Sequence, residues 1–389
     1  MKLANRMSRL GTETAFEVLV RARALEAEGR DIIHLEVGEP DFDTPGNIIE
    51  AGCHALKTGW THYGPAAGQP DLREAIAAYL NTSRGTVYDA GNIVVTPGGK
   101  PIMFFVIMAL LEAGDEAIYP NPGFPIYESM INFVGATAVP APILESNDFA
   151  LDVDKLPSLI TPKTKLLIIN SPANPTGGVL NGDEIARIAE LAVEHDITVL
   201  ADEIYSEILY EGEHVSIATM PGMAERTIIL DGFSKTYAMT GWRLGYGAMP
   251  ADFAEVIANL MVNSNSCTSM AVQRAGLEAL NGPQDDVKSM IEAFRRRREL
   301  IVDGLNAIDG ISCLKPKGAF YVFPNIKGIG MKSKAFADML LQEHGVAGLS
   351  GTAFGTHGEG YLRLSYANSE ENISKALERI SAAAEQSKK

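Results

Sequence analysis

The sequence predicts an α/β fold in which a mostly parallel central sheet is covered by helices on both faces. Two observations support this prediction: short, almost continuously apolar runs recur up to about residue 250, and segments with helical periodicity separate them. Parallel strands buried on both faces have this apolar character and need crossover helices between them. The 389 residues, 46% of them hydrophobic, are sufficient for a large core and two domains.

The predicted elements of the sheet alternate along the chain. Helices are expected at Pro101–Glu112, at 123–135 and at the amphipathic run GDEIARIAELAVEHD, whose apolar residues have a period of 3.6. Each lies between two apolar runs, as in consecutive βαβ units. The runs predicted as strands are NIVVTPGG, DEAIYP, TAVPAPI, KTKLLIINSP, ITVLADEIY and RTIILDGF.

The pattern changes after about residue 250. Two long helical stretches come first, including QDDVKSMIEAFRRRRELIVDGLNAI, and strand-like pieces follow. The chain ends in a predicted helix, SEENISKALERISAAAEQSKK. These features predict a smaller α+β domain formed by residues 1–46 together with 281–389, beside a large domain formed by residues 47–280.

Composition excludes several classes of function. The net charge of −16 disfavours binding to nucleic acid or to an anionic membrane. Three separated cysteines without a CxxC pair predict no disulfide framework, and seven scattered histidines predict no metal site. The apolar segment KPIMFFVIMALLEAG is too short to span a bilayer, and the first residues lack the apolar core of a signal peptide. We therefore expect a cytoplasmic protein.

Polar residues follow four of the predicted strands. In an open α/β sheet, ligands bind at the carboxyl ends of the strands, so these residues are expected to converge on one site. They are Gly98, Gly99, Lys100, Asn174, Asp202, Tyr205, Ser234 and Lys235.

Each of these signals has an ordinary structural interpretation when it is taken alone. The TPGGK segment can be a turn or an anion cradle at a helix start, and it is not a P-loop. Asp202 can cap a helix, Asn174 can shape a turn, and Lys235 can be a solvated loop residue. Together they meet the needs of pyridoxal phosphate, which requires a lysine for a Schiff base, an acid for the pyridine nitrogen and a phosphate site.

Seven motifs carry a resemblance to a known family. The chain resembles the class I/II aminotransferases, which are fold-type-I enzymes dependent on pyridoxal 5′-phosphate, and within them the prokaryotic aspartate aminotransferase-like subgroup. The resemblance spans residues 36–367 and implies a ping-pong transfer of an amino group from an L-amino acid to a 2-oxo acid. The motifs are EVGEPDFDTP, HYGPAAGQPDLREAI, TPGGK, NSPANPTGG, ADEIYSE, SKTYAMTGWRLGY and RLSYA.

The resemblance assigns the catalytic and cofactor residues one by one. Lys235 matches the lysine that forms the Schiff base and then moves a proton, and Asp202 matches the partner of the pyridine nitrogen. Tyr205 and Asn174 match the pair that hydrogen-bonds the ring oxygen. Phe124 matches the aromatic that stacks on the ring. The remaining cofactor-binding residues are expected to hold the phosphate; within one chain they are Gly98, Gly99, Lys100, Ser234 and Arg243. Tyr63 matches a tyrosine that reaches the phosphate of the partner subunit, which implies a homodimer with shared active sites.

The resemblance also assigns the substrate-binding residues. Arg363 matches the arginine that binds the α-carboxylate, and Gly38 and Asn174 lie beside it. Lys100 matches a lysine that contacts the distal carboxylate of aspartate or glutamate. The resemblance therefore implies aspartate or glutamate as the amino donor, and 2-oxoglutarate is the expected acceptor.

The chain departs from this subgroup near its N-terminus, where Ala15, Phe16 and Glu17 stand in place of a serine and threonine that help to hold the distal carboxylate. A broader aromatic, neutral or basic amino acid transaminase using 2-oxoglutarate or pyruvate is therefore an alternative. A pyridoxal-phosphate-dependent lyase is a more distant one. A DNA-binding regulator of the same fold is disfavoured by the acidic charge.

Overall fold

The computed structural model describes residues 1–387 and confirms the predicted α/β class. The strands are β1 (Ile33–His34), β2 (Ile93–Thr96), β3 (Glu116–Asn121), β4 (Thr137–Pro142), β5 (Thr164–Asn170), β6 (Thr198–Asp202), β7 (Thr227–Gly232), β8 (Gly245–Ala248), β9 (Tyr321–Val322), β10 (Val346–Ala347), β11 (Leu349–Ser350) and β12 (Leu362–Ser365). The main sheet has seven strands in the order β2-β8-β7-β6-β5-β3-β4. All of them are parallel except β8, which is antiparallel to both of its neighbours.

The helices cover both faces of this sheet and form the remaining layers. They are α1 (Thr14–Ala27), α2 (Gly46–Lys57), α3 (Pro70–Arg84), α4 (Lys100–Leu110), α5 (Ile126–Val134), α6 (Leu156–Leu159), α7 (Gly182–Glu194), α8 (Ala251–Ser264), α9 (Met270–Asn281), α10 (Asp285–Asn306), α11 (Ser333–His344) and α12 (Glu370–Gln386). The predicted helices before residue 250 are confirmed as α4, α5 and α7. Between residue 250 and β9 the structure has three helices, α8, α9 and α10, where two helical stretches were predicted. The final predicted helix is confirmed to Gln386; its last two residues lie outside the described part of the chain.

Helix α7 shows how local sequence sets an element boundary. The side chain of Asn181 accepts a hydrogen bond from the backbone N–H of Glu184 at 3.0 Å, and the Glu184 carboxylate accepts one from the N–H of Asn181 at 2.7 Å. This capping box satisfies two donors that a helix start leaves unpaired. The helix then buries Ile185 and Ile188 against the sheet core.

Strand β8 was not predicted. Its sequence, GYGA, contains two glycines, and glycine is uncommon in strands. A glycine is nevertheless required at position 245, because a Cβ there would lie 2.4 Å from the backbone nitrogen of Gly99. The close approach of β8 to the start of α4 therefore requires glycine. Because glycine is not typical of strands, the sequence pattern did not indicate a strand here.

The register of the parallel strands brings their polar ends together. Asn170, the last residue of β5, pairs with Asp202, the last residue of β6. Asp202 in turn pairs with Leu230 of β7, the strand that runs on toward Lys235. The carboxyl ends of three neighbouring strands thus meet at one edge of the sheet, as expected for a ligand site in this fold.

Two smaller sheets lie outside the main one. Strands β11, β12 and β9 form an antiparallel sheet, and β1 pairs in parallel with β10. Residues near both ends of the chain therefore share a sheet, in agreement with a small domain that includes the first residues; the domain boundaries themselves stay a prediction. Within residues 1–387, no helix is long and apolar enough to cross a membrane.

Candidate active site

The structure brings eleven of the thirteen predicted site residues around one cavity of about 560 Å³. The cavity lies at the carboxyl ends of β5, β6 and β7, where the strand order predicts a ligand. Asn174, Asp202 and Lys235 converge because β5, β6 and β7 are neighbours in the sheet. The eleven are Gly38, Gly99, Lys100, Phe124, Asn174, Asp202, Tyr205, Ser234, Lys235, Arg243 and Arg363.

The other two predicted residues lie outside the cavity lining. Gly98 is directly behind Arg243: a Cβ at Gly98 would lie 2.2 Å from the Arg243 Nη2 atom, and the φ of +89° at Gly98 also favours glycine. Tyr63 is 88% exposed and does not reach the cavity of its own chain.

Lys235 lies in the cavity with its amine out of bulk water. Its Nζ donates a hydrogen bond to the carbonyl oxygen of Gly38 at 2.5 Å and lies 5.9 Å from the centre of the Phe320 ring. Burial lowers the pKa of Lys235 to about 8, because a charged ammonium is poorly solvated there. A substantial fraction of this amine is therefore neutral near pH 8 and is able to act as a nucleophile or a base.

Asp202 is a buried carboxylate held by two donors. The hydroxyl of Tyr127 donates to its Oδ2 at 2.5 Å, and the backbone N–H of Ile204 donates to its Oδ1 at 3.3 Å. Burial raises the pKa of Asp202 to about 6, although both hydrogen bonds oppose the rise. A cation placed against this carboxylate would stabilise its charged form and so offset the effect of burial on its pKa.

Tyr205 is oriented by a second buried phenol. The Tyr205 and Tyr321 hydroxyl oxygens are 2.7 Å apart, and burial raises the pKa of Tyr205 well above its ordinary value. The same Tyr321 hydroxyl would lie 2.2 Å from a Cβ at Gly38. Position 38 thus requires glycine, because its backbone must pass close to Tyr321 while its carbonyl oxygen accepts a hydrogen bond from Lys235.

Arg363 is 3% exposed and projects from β12 into the cavity. Its guanidinium donates to the carbonyl of Glu36 and, at 3.4 Å, to Oδ1 of Asn174, and it lies 4.6 Å from the centre of the Tyr321 ring. Its Nε has no hydrogen-bond partner among residues 1–387. Burial lowers the pKa of Arg363. A buried guanidinium with an unpaired donor is a strong site for a carboxylate.

Arg243 is held at the other polar wall of the cavity by an unusual backbone conformation. Its φ is +58°, and its Nη1 donates to the carbonyl of Thr240 at 2.6 Å. Gly98 leaves room for this side chain, and Gly99 and Lys100 begin helix α4 beside it. An arginine next to a helix start is a suitable place for a phosphate.

The side-chain end of the cavity is lined by part of the segment in which the chain departs from the subgroup. Glu17 is exposed and does not line the cavity, whereas Glu13 does. The Glu13 carboxylate lies 2.8 Å from Nζ of Lys100. Glu17 belongs to the segment in which the chain departs from the subgroup, and the turn of α1 directs its side chain to solvent. Ala15 and Phe16 line the cavity as predicted.

A buried charge cluster behind the strand ends was missed by the sequence analysis. Arg84, at the end of α3, donates to Oε2 of Glu203 at 2.7 Å and to Oδ2 of Asp231 at 2.6 Å. His214 lies 3.1 Å from the same Glu203 carboxylate. Burial raises the pKa of Asp231 to about 7, whereas His214 and Arg84 overcome burial and bring that of Glu203 down to about 2. Glu203 follows Asp202 directly, so this cluster supports the strand end that carries the site.

Two further cavity residues, Tyr127 and Tyr321, were also missed. Tyr127 lies inside the helix predicted at 123–135, and Tyr321 lies among the strand-like pieces predicted after residue 250. A tyrosine is a common core residue, so only the three-dimensional contact with Asp202 or Tyr205 distinguishes these two from ordinary aromatic packing. Within residues 1–387, no group of His, Cys, Asp and Glu side chains has a metal-binding arrangement.

Comparisons with known proteins give one consistent result. The profile of the family described as "Aminotransferase class I and II" matches residues 30–380. The chain is 43% identical over 355 residues to the aspartate aminotransferase of Pyrococcus abyssi, covering 90% of this chain and 91% of that one. It is 39% identical over 384 residues to aromatic-amino-acid aminotransferase 2 of Thermococcus litoralis, covering 98% and 97%. The solved structure of the Thermus thermophilus aspartate aminotransferase with maleate matches at a TM-score of 0.95 and 39% identity, covering 98% of this chain and all of that one.

Proposed function

This chain belongs to the class I and II aminotransferase family, and from that premise we propose its substrates, its cofactor and the roles of its residues. The enzyme is a transaminase. Its donor is aspartate or glutamate, its acceptor is 2-oxoglutarate, and its cofactor is pyridoxal 5′-phosphate. The observation that supports this most is that one cavity holds the partly buried amine of Lys235, the buried carboxylate of Asp202 and the buried guanidinium of Arg363.

The residues present fit pyridoxal phosphate. Lys235 supplies an amine whose lowered pKa suits bonding to an aldehyde carbon. Asp202 would pair with the protonated pyridine nitrogen, and Tyr205 with Asn174 would hydrogen-bond the ring oxygen. The raised pKa of Asp202 supports this role, because burial leaves the carboxylate in need of a cationic partner.

The phosphate and the ring face also have matching residues. Arg243, Ser234 and the start of α4 at Gly99 and Lys100 would hold the phosphate, because backbone N–H groups and an arginine fork bind such anions well. Phe124 would pack on the ring face. Gly98 contributes indirectly, since it leaves space for the Arg243 side chain.

Pyridoxal phosphate, when bound, supplies an electron sink for the pair released when a bond at the substrate Cα breaks. Lys235 would carry the proton from that carbon, because its Nζ has a pKa near 8 and can both accept and return a proton. Arg363 would orient the substrate by its α-carboxylate and so select the bond that breaks. Transamination, rather than decarboxylation, follows from that orientation.

Replacement of Arg363 by glutamine is expected to lower kcat/KM for aspartate by roughly 30-fold to 1,000-fold, corresponding to the loss of a buried, charge-assisted contact of about 2–4 kcal/mol. The fully buried guanidinium with a free Nε is the reason for an effect of this size. Steady-state kinetics measure it, and the absorption spectrum checks that the cofactor still binds. Exposed Arg187→Gln serves as the matched control; equal losses in both variants would contradict the role of Arg363.

Lys100 supports a dicarboxylic side chain. Lys100 lines the cavity and its side chain is 48% exposed, so its ammonium can reach a distal carboxylate without being buried itself. Maleate, a dicarboxylate, accompanies the similar Thermus thermophilus enzyme, which supports the same preference here. Phe16 and Phe124, which flank the Lys100 ammonium, instead favour a broader enzyme that also accepts aromatic or neutral side chains.

Tyr63 supports a homodimer with shared active sites. Its side chain is 88% exposed in one chain, which suits a residue that reaches the phosphate of a partner. Trp60, Leu56 and Ile49 are also exposed large hydrophobic residues in this part of the chain. A cytoplasmic location is supported by three free cysteines among the described residues.

The products distinguish this proposal from a lyase. The loaded enzyme, given aspartate and 2-oxoglutarate, is expected to form oxaloacetate and glutamate in equal amounts, because each amino group lost by the donor appears on the acceptor. Chromatography of both products measures the ratio. Release of ammonia without glutamate would contradict the proposal and favour a lyase. If the amino group is transferred from aromatic or basic amino acids but not from aspartate, the enzyme is still a transaminase. The proposed preference for dicarboxylic substrates would then be excluded.

A further inference from the structure

Glu13 is a cavity carboxylate that the proposed chemistry does not require. It occupies the residue before α1, and its side chain makes no capping hydrogen bond to the helix. The carboxylate instead lies 2.8 Å from Nζ of Lys100 and is 13% exposed. Its carboxylate therefore contributes to the lining of the cavity.

The charge of Glu13 acts on the rest of the cavity as well. Burial lowers the pKa of Lys235 to about 8 and also lowers that of Arg363, and Glu13 opposes both effects. The carboxylate is thus electrostatically coupled to the residue that would carry the proton and to the residue that would bind the α-carboxylate of a substrate. A substrate with a second carboxylate would add another negative charge beside it.

The surroundings of Lys100 offer two different partners for a substrate side chain. Its Nζ lies 5.8 Å from the centre of the Phe16 ring and 5.4 Å from that of the Phe124 ring, besides its ion pair with Glu13. With that pair intact, the region is a charge-neutral aromatic surface. With the pair broken, Lys100 presents a cation.

We propose that Glu13 is a specificity-determining residue that competes with the distal carboxylate of dicarboxylic substrates for Lys100. A dicarboxylate binds by displacing Glu13 from Lys100, whereas a neutral or aromatic side chain leaves the pair intact and packs against Phe16 and Phe124. Glu13 thus widens specificity by weakening the preference for dicarboxylates. This inference rests on the proposed function, because it requires the substrate α-carboxylate to lie at Arg363.

The test compares Glu13→Gln with wild type in the enzyme loaded with pyridoxal phosphate. Calorimetric titration with maleate, which carries no amino group to transfer, measures binding alone. Glu13→Gln is expected to bind maleate about threefold to tenfold more tightly, the range for losing a partly exposed charge competitor. Its kcat/KM should rise by about the same factor for aspartate and change less than about twofold for phenylalanine.

Two further variants make the result specific. Glu17→Gln removes an equal charge four residues further along the chain but outside the cavity, and it should leave maleate binding unchanged. In a Lys100→Gln background, Glu13→Gln should no longer tighten maleate binding, since the two carboxylates compete for that lysine. Glutamine is similar in shape to glutamate, and thermal unfolding verifies that each variant folds.

The outcomes separate this inference from the proposed function. Wild-type activity with unchanged maleate affinity in Glu13→Gln would overturn the role of Glu13 and leave the transaminase proposal intact. Equal changes for aspartate and phenylalanine would overturn it as well. A wild-type enzyme that transfers no amino group from any amino acid would overturn both.

Discussion

Replacement of Lys235 by alanine is expected to lower kcat for transamination by at least about 10⁴-fold, because one amine would hold the cofactor and carry the proton. Lys100, also in the cavity, cannot replace it, since its ammonium is half-exposed and paired with Glu13. A coupled assay of glutamate formation measures the loss. Exposed Lys288→Ala on α10 is the control and should retain full activity.

The fold of the Lys235→Ala variant should be intact. Burial lowers the pKa of Lys235 to about 8, so the folded protein binds fewer protons than the unfolded chain between about pH 8 and its ordinary value of 10.5. Below that window the buried ammonium destabilises the fold, and its removal should leave the unliganded variant at least as stable at pH 7. A variant that is inactive because it unfolds at lower temperature would contradict this account of the site.

Replacement of Arg84 by leucine is expected to reduce the free energy of unfolding by about 3–5 kcal/mol. The change removes the arginine from two buried carboxylates, and of the two only Glu203 retains His214 beside it. Glu203 and Asp231 each accept a hydrogen bond from this guanidinium, and all three side chains are buried. Urea unfolding measures the change. Activity should fall with stability, because Glu203 adjoins Asp202 and Asp231 precedes the Lys235 loop.

A surface ion pair provides the comparison for Arg84. Arg187 and Glu190 are paired at 2.9 Å on α7 but are exposed, so Arg187→Leu should change stability by no more than about 0.5 kcal/mol. A loss below about 1 kcal/mol for Arg84→Leu would mean that the two carboxylates become protonated or solvated at little cost. The cluster would then have no supporting role.

Much of the site could be predicted because it depends on local patterns. Apolar runs identify strands, and the residue after each run identifies what stands at the sheet edge, so Asp202 and Lys235 are recognisable from the sequence alone. The parallel pairing that unites them follows from the alternation of strands and helices. Residues whose role depends only on the order of the strands can thus be predicted from the sequence.

Other features could not be predicted because they depend on long-range contacts. Arg84 is separated by 119 residues from Glu203 and by 147 from Asp231, and no local pattern joins them. Glu13 and Glu17 are one helical turn apart, so only the position of α1 against Lys100 decides which of them lines the cavity. Strand β8 was not predicted because close packing requires glycines in it, and glycine is not typical of strands.

The measurement that tests the central claim most directly identifies the lysine that bonds the cofactor. Wild-type protein is loaded with pyridoxal phosphate, reduced with borohydride and digested, and the modified peptide is sequenced by mass spectrometry. The account predicts modification of Lys235, and its loss when excess aspartate is added before reduction. Modification of Lys100 or another lysine, or no modification at all, would contradict the assignment of Lys235 as the catalytic amine.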